Sequence, residues 1–194
     1  MFLVMSAASA QSVGADLKQS VTGGFLYAVP IGSLNQENSG PGYAVDYAFR
    51  PLNWLALEVG FNQVVHPVGT IVILNNGIPF AIKTNDQLYL IPFGPQFVWQ
   101  PGQGRGRISV GIGGAYLNHR YDQQALSAFE SNTSGLGGQA VVSTDYALSD
   151  SGRYRLGLTG RFYYINTAYK SGAYTFHGTD RYFTIGTEFT FSFR

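Results

Sequence analysis

The chain has 194 residues, of which 45% are hydrophobic, 15% aromatic and only 12% charged, with a formal net charge of +1. A soluble domain of this size carries roughly twice that charge, and the high aromatic share excludes a disordered chain. A near-neutral balance offers no basic surface for a nucleic-acid backbone. The absence of cysteine excludes a disulfide scaffold, a thiolate metal site and a thiol nucleophile.

Met1-Phe2-Leu3-Val4-Met5 is a short apolar run, and Ala8-Ser9-Ala10 before Gln11 has the small-x-small form of a signal-peptidase site. Residues 1–10 therefore read as the remnant of a secretory signal, and residues 11–194 as one domain. No later apolar run reaches the ~18 residues of a transmembrane helix. A secreted chain with too little charge for water and no spanning helix points to a closed barrel, the other structure that satisfies its backbone in lipid.

Alternation of residue type supports this along the whole chain. A first strand lies around Thr22 to Val29. From Tyr43, the residues Tyr43, Val45, Tyr47 and Phe49 alternate with Ala44, Asp46, Ala48 and Arg50. After the turn Pro51-Leu52-Asn53, Leu55, Leu57, Val59 and Phe61 oppose Ala56, Glu58, Gly60 and Asn62. A segment from Leu88 to Trp99 contains Pro92 and Pro95, which a closed barrel tolerates only at a bulge or kink. Ile108, Val110, Ile112 and Tyr116 oppose Ser109, Gly111, Gly113 and Ala115, with Gly114 among the small residues expected to relieve crowding in the lumen. A weaker strand runs from Gly138 to Leu148; Tyr154 to Tyr164 and Phe183 to Phe193 complete the set. The expected fold is all-β: an eight-stranded antiparallel up-and-down transmembrane barrel, with strands of about nine to thirteen residues.

The polar face is mostly Gly, Ala, Ser and Thr, which suits a narrow lumen better than a wet exterior. Trp54, Trp99, Tyr154 and Phe193 stand near strand ends, where interfacial girdles sit. Connections at about 50–53, 100–106 and 149–153 are short, and those at about 30–42, 63–86, 120–136 and 166–179 are long, the asymmetry of outer-membrane barrels. Asp46, Arg50, Glu58, Asp145, Arg155, Arg161 and Glu188 share the inward parity, so a lumenal carboxylate–arginine network is expected.

The signal-like start, the eight alternating segments and the terminal Phe189-Thr190-Phe191-Ser192-Phe193-Arg194 resemble the small bacterial outer-membrane barrels of the OmpX, OmpA-domain and OmpW kind. Arg194 after Phe193 departs from that family's usual terminal Phe. The resemblance implies a bacterial outer-membrane location and contact with its lipid. It leaves function open, because the family includes anchors, adhesins, a few lipid-modifying enzymes and channels for small apolar molecules.

Enzymatic signals are thin. His66, His119 and His177 fall at loop ends of one rim, where Asp122, Glu130 or Asp180 could join them around a metal ion. None has a close ligand spacing, so they read as ordinary rim residues, and no metal or cofactor is expected. Lipid-A deacylases of this size carry a His-x-Ser pair; His177-Gly178-Thr179 has threonine instead, and Ser171 offers no better arrangement. Gly102-Gln103-Gly104-Arg105-Gly106 reads as a flexible turn, and Asn132-Thr133-Ser134 as a chance sequon.

The longest external segment carries the strongest clue. Thr70 to Leu74 and Ile78 to Ile82 flank Asn75-Asn76-Gly77, and an Asn-Gly pair between apolar runs signals a tight hairpin. Ile71, Ile73, Leu74, Ile78, Phe80 and Ile82 are the candidate binding residues, for a protein partner or another copy. The expected function is a non-catalytic outer-membrane barrel whose external loops mediate surface or partner interaction. The alternative is a channel for small hydrophobic molecules.

Overall fold

The structure is a computed structural model that describes residues 17–31, 39–66, 69–75, 78–101, 104–123, 131–171 and 174–194. The signal-like residues 1–10 lie outside the described residues. The strands are β1 (Gln19–Pro30), β2 (Gly40–Leu52), β3 (Leu55–Val65), β4 (Gly69–Asn75), β5 (Ile78–Trp99), β6 (Gly106–Gln123), β7 (Ser131–Ala147), β8 (Tyr154–Ser171) and β9 (Tyr174–Phe193). Every neighbour pairs antiparallel. β1 bonds both β2 and β9, from Gln19 opposite Phe193 to Pro30 opposite Tyr182. β3 closes the ring onto β5. β4 lies in line with β3 along the same flank of β5, so nine strands make a barrel of eight staves.

Alternation sets the two faces. Outward residues are apolar and exposed: Leu57 at 48%, Val110 at 49% and Ile112 at 71%, with Val45, Val59, Val142, Leu158 and Ile185. Their neighbours along each strand point into a filled lumen. Aromatics bound this belt at both ends. Toward the short turns, Trp54 packs on Phe97 (6.3 Å between ring centroids), Tyr154 on Phe191 (5.5 Å) and Phe191 on Phe193 (5.8 Å). At the other end Phe61 packs on Tyr89 (5.9 Å), and Arg181 lies over the ring of Tyr164 (5.3 Å). The ten residue steps from Tyr154 to Tyr164 span about 25 Å of membrane at the tilt of such barrels. The surface meets lipid, and the barrel is transmembrane.

The structure corrects the expected strand lengths. β5 has 22 residues, β9 has 20, β6 and β8 have 18 each and β7 has 17. Much of the segments expected as loops at 63–86, 120–136 and 166–179 is strand, so the barrel wall continues past the membrane. The turns after β2, β5 and β7 are short as expected.

Pro92 and Pro95 both lie in β5. The ladder to β3 skips between Phe93 and Leu90, and the ladder to β6 skips between Phe93 and Gln96, in each case without a change of register. Gly94, at φ 154°, sits in the second gap, where a Cβ would come within 2.7 Å of Gly113 Cα. The prolines thus cost a few ladder bonds locally and leave the stave intact. Gly114 has a different task from the one expected. It faces outward opposite Phe93, and the Phe93 ring lies where its Cβ would be, so this glycine seats an exterior aromatic rather than relieving the lumen.

The inside–outside assignment has a direct test. Leu57→Arg and Val110→Arg should each destabilise the barrel by about 2–4 kcal/mol, the cost of a cation near the bilayer midplane. Glu58→Gln should cost less, because a neutral amide still bonds its neighbours. Reversible unfolding in lipid vesicles measures all three.

Candidate functional site

The lumen is layered. Nearest the short turns, Asp145 on β7 binds two arginines. Arg107 donates from Nε (2.8 Å) and Nη2 (2.6 Å) to one carboxylate oxygen, and Arg155 Nε donates to the other. Arg155 also donates from Nη2 to the carbonyl of Arg105 at 2.8 Å. Above this, Arg161 on β8 reaches across the bore. Its Nη2 donates to Asp46 of β2 at 3.0 Å, and its Nη1 to Glu58 of β3 at 2.6 Å. Gln96 of β5 donates to the second oxygen of Glu58 at 2.5 Å.

Of the sequence-assigned charges, Asp46, Glu58, Asp145, Arg155 and Arg161 meet in these two clusters. Arg50 and Glu188 also lie on inward positions of β2 and β9. The sequence reading missed Arg107, which shares the inward parity of Ser109 and Gly111 but follows the glycine turn too closely to read as strand.

Higher still the lumen turns apolar. Leu26, Ala28, Ala44, Val64, Leu88, Leu90, Ala115, Leu117, Tyr163, Ile165 and Tyr182 form one buried cluster. Asn62 donates to the Tyr163 hydroxyl at 2.8 Å on its lower side. A filled interior suits an eight-stranded bore, which is only wide enough for side chains.

On this dry floor rest three chemically active side chains. His66 ends the β3 stave, and its backbone N–H donates to the Asp86 carbonyl at 3.1 Å, making the two cross-strand neighbours. Asp86 faces Tyr121 in the ladder between β5 and β6, which puts His119 diagonal to it. All three point inward. His66 Nδ1 lies 3.0 Å from Asp86 Oδ2, and His119 Nε2 touches Asp86 Oδ1. The two imidazoles meet edge to face at 6.3 Å. His66 is 1% exposed, whereas His119 and Asp86 keep slight access from the rim.

The expected rim group divides. His66 and His119 come together around Asp86, which the sequence reading did not select. His177 is exposed on the outer face of β9, and Thr179 donates to Asn166 Oδ1 at 3.4 Å. Asp180 is buried inward on β9. Glu130 and the side chains of Asp122 and Ser171 lie outside the described residues.

The hairpin has a backbone ladder from Gly69 opposite Thr84 to Asn75 opposite Ile78, around Asn76-Gly77, which lie outside the described residues. Its register pairs Ile71 with Ile82 and Ile73 with Phe80, and Leu74 with Pro79. The side chains of Ile71, Ile73, Leu74, Ile78, Phe80 and Ile82 lie outside the described residues.

No family model and no curated protein sequence matches the chain. Solved structures do. Neisserial surface protein A is 16% identical, with 90% of this chain and 97% of that one covered, at a TM-score of 0.67. This is the fold of the small bacterial outer-membrane barrels. OprG from Pseudomonas aeruginosa is 11% identical, with 93% and 99% covered, at 0.61. Ail, the attachment invasion locus protein of Yersinia pestis, is 10% identical in its complex with sucrose octasulfate, with 90% and 99% covered, at 0.54.

Arg161 is the cation shared by the middle network of this barrel. Arg161→Met should strand Asp46 and Glu58 and cost about 3–5 kcal/mol, as removal of one member of a buried ion pair does. Arg161→Met in an Asp46→Asn, Glu58→Gln background should recover much of it, because neither carboxylate is then left buried without its cation. Urea unfolding in vesicles provides the comparison.

Proposed function

We propose that the chain works in a bacterial outer membrane as a non-catalytic surface protein, whose extracellular strand extensions and β4–β5 hairpin bind a partner chain or a second copy. The observation that carries this reading is the length of the wall. From Tyr89, at the outer aromatic girdle, β5 runs eleven residues further to Ile78, about 35 Å of strand beyond the membrane. A paired sheet of that reach is a stiff presenting surface.

The end of the sheet supports the same reading. β4 stands last in the strand order, and among the described residues its ladder runs only to β5. An open strand edge is a template for strand addition by another chain. A barrel of similar fold, Ail, the attachment invasion locus protein of Yersinia pestis, was solved in complex with the heparin analogue sucrose octasulfate. The alternative of a conduit for small hydrophobic molecules along the barrel axis finds less support, because charge clusters and an apolar layer fill the described bore.

Replacing residues 69–83 with a short Gly-Ser linker should leave the heat-modifiable gel shift intact, since the lipid-embedded ladder is untouched. It should abolish adhesion to a surface or self-association measured by cross-linking. Adhesion or oligomers that persist unchanged without the hairpin would place the activity elsewhere. In planar bilayers the intact protein should show no large, uniform conductance steps; steps that survive repurification would favour the conduit.

A further inference from the structure

We propose that His66, Asp86 and His119 form a binding site for one divalent transition-metal ion of the zinc or copper class, at the external mouth of the barrel. The donor set is two imidazoles and one carboxylate, with one ligand atom from each residue lying within 4.8 Å of the others. Imidazole nitrogen selects zinc, copper or nickel over magnesium and calcium, which take oxygen ligands. At metal–ligand distances of about 2.0–2.2 Å, tetrahedral donors stand roughly 3.3 Å apart. The 3.0 Å between His66 Nδ1 and Asp86 Oδ2 needs only a few tenths of an ångström to reach that spacing.

An independent observation comes from His66. The residue is 1% exposed, and neither ring nitrogen has an aligned hydrogen-bond partner among the described residues. Nδ1 stands at ion-pair distance from Asp86, and Nε2 has no hydrogen-bond partner among the described residues. A buried lone pair left without a partner costs about 1–3 kcal/mol, and a coordinated cation would engage it.

The surroundings suit the ion. Val64, Leu88 and Leu117, each one inward position below a ligand, are fully buried and close the site from below. Their low polarity strengthens the attraction between the cation and Asp86. Among the described residues, His119 and Asp86 are the ligands that keep some exposure, at 15% and 12% of their side chains, which leaves a fourth coordination position for water or for a donor from a bound partner. Asp180, buried inward on β9 of the same mouth, adds a second carboxyl group.

The test uses the refolded full-length barrel in detergent, with Zn²⁺ or Cu²⁺ alone competed against a chromophoric chelator. One ion should bind per barrel, and millimolar Mg²⁺ or Ca²⁺ should not displace it. Asp86→Asn and His66→Asn should each weaken binding by at least about 100-fold, while His177→Asn, on the outer face, should change nothing. Electron paramagnetic resonance of the Cu²⁺ form should show two coupled imidazole nitrogens, and His119→Gln should remove one. The gel shift reports folding. If His66→Asn fails it, His119→Gln carries the comparison, because that ring sits nearer the rim. Binding to the native barrel no tighter than to the Asp86→Asn, His119→Gln double variant would overturn the proposal, as would loss of binding in His177→Asn.

Discussion

Closure of the backbone ladder in lipid is the constraint on which the other features rest. In hydrocarbon an unpaired N–H or C=O costs several kcal/mol and finds no water, so each stave must bond both neighbours across the belt. β1 and β9 complete the ring, and the antiparallel pairing divides every strand into one lipid-facing and one lumenal set of side chains. This explains how a chain with so little charge can be well folded: its apolar side chains are outside. It also explains the handling of Pro92 and Pro95. The missing donors interrupt the ladders to β3 and β6 at separate heights, and the flanking pairs hold the same register on either side.

The lumen follows from the narrowness of the bore. Eight staves leave room only for side chains, so every inward residue must be satisfied by another. Arg161 bonds carboxylates from β2 and β3 across the barrel, and Asp145 is shared by Arg107 and Arg155. Below the apolar layer, among the described residues, Arg50, Arg107, Arg155 and Arg161 share the bore with Asp46, Glu58, Asp145 and Glu188, so basic and acidic side chains are matched in number there. Above them the bore is sealed by aliphatic and aromatic side chains. Cross-lumen ion pairs tie distant staves together, and the apolar layer separates them from the mouth.

What could be read in the sequence tracks this constraint closely. Within the membrane, lipid forces alternation, so parity put Leu57, Val110 and Ile185 on one face, and the small residues opposite them, with the aromatic strand ends, marked that face as the outer one. The same parity brought out seven inward charges. Outside the membrane both faces can meet water, alternation is no longer enforced, and the continuing strands of β5 to β9 looked like loops. The mouth cluster escaped for a different reason. Its members lie on three strands and meet through register, His66 across from Asp86 and His119 diagonal to it, so no short spacing in the chain records them. Register is set by the whole ladder.

The break between β3 and β4 shows how one local exception shapes the mouth. The last described bond of β3 to β5 is the one the His66 N–H donates to the Asp86 carbonyl. From the pair His66–Asp86 to the pair Gly69–Thr84, the β3–β4 side advances three residues while β5 advances two. One extra residue on the β3–β4 side is the arithmetic of a bulge. The same interruption fixes where the lumenal filling ends. His66 is the last inward residue of its stave below the shift, and its ring sits at the boundary between the sealed bore and the extracellular wall. The histidine there is buried, as are Val64, Leu88 and Leu117 one inward position below the cluster, while its neighbours Asp86 and His119 keep slight exposure.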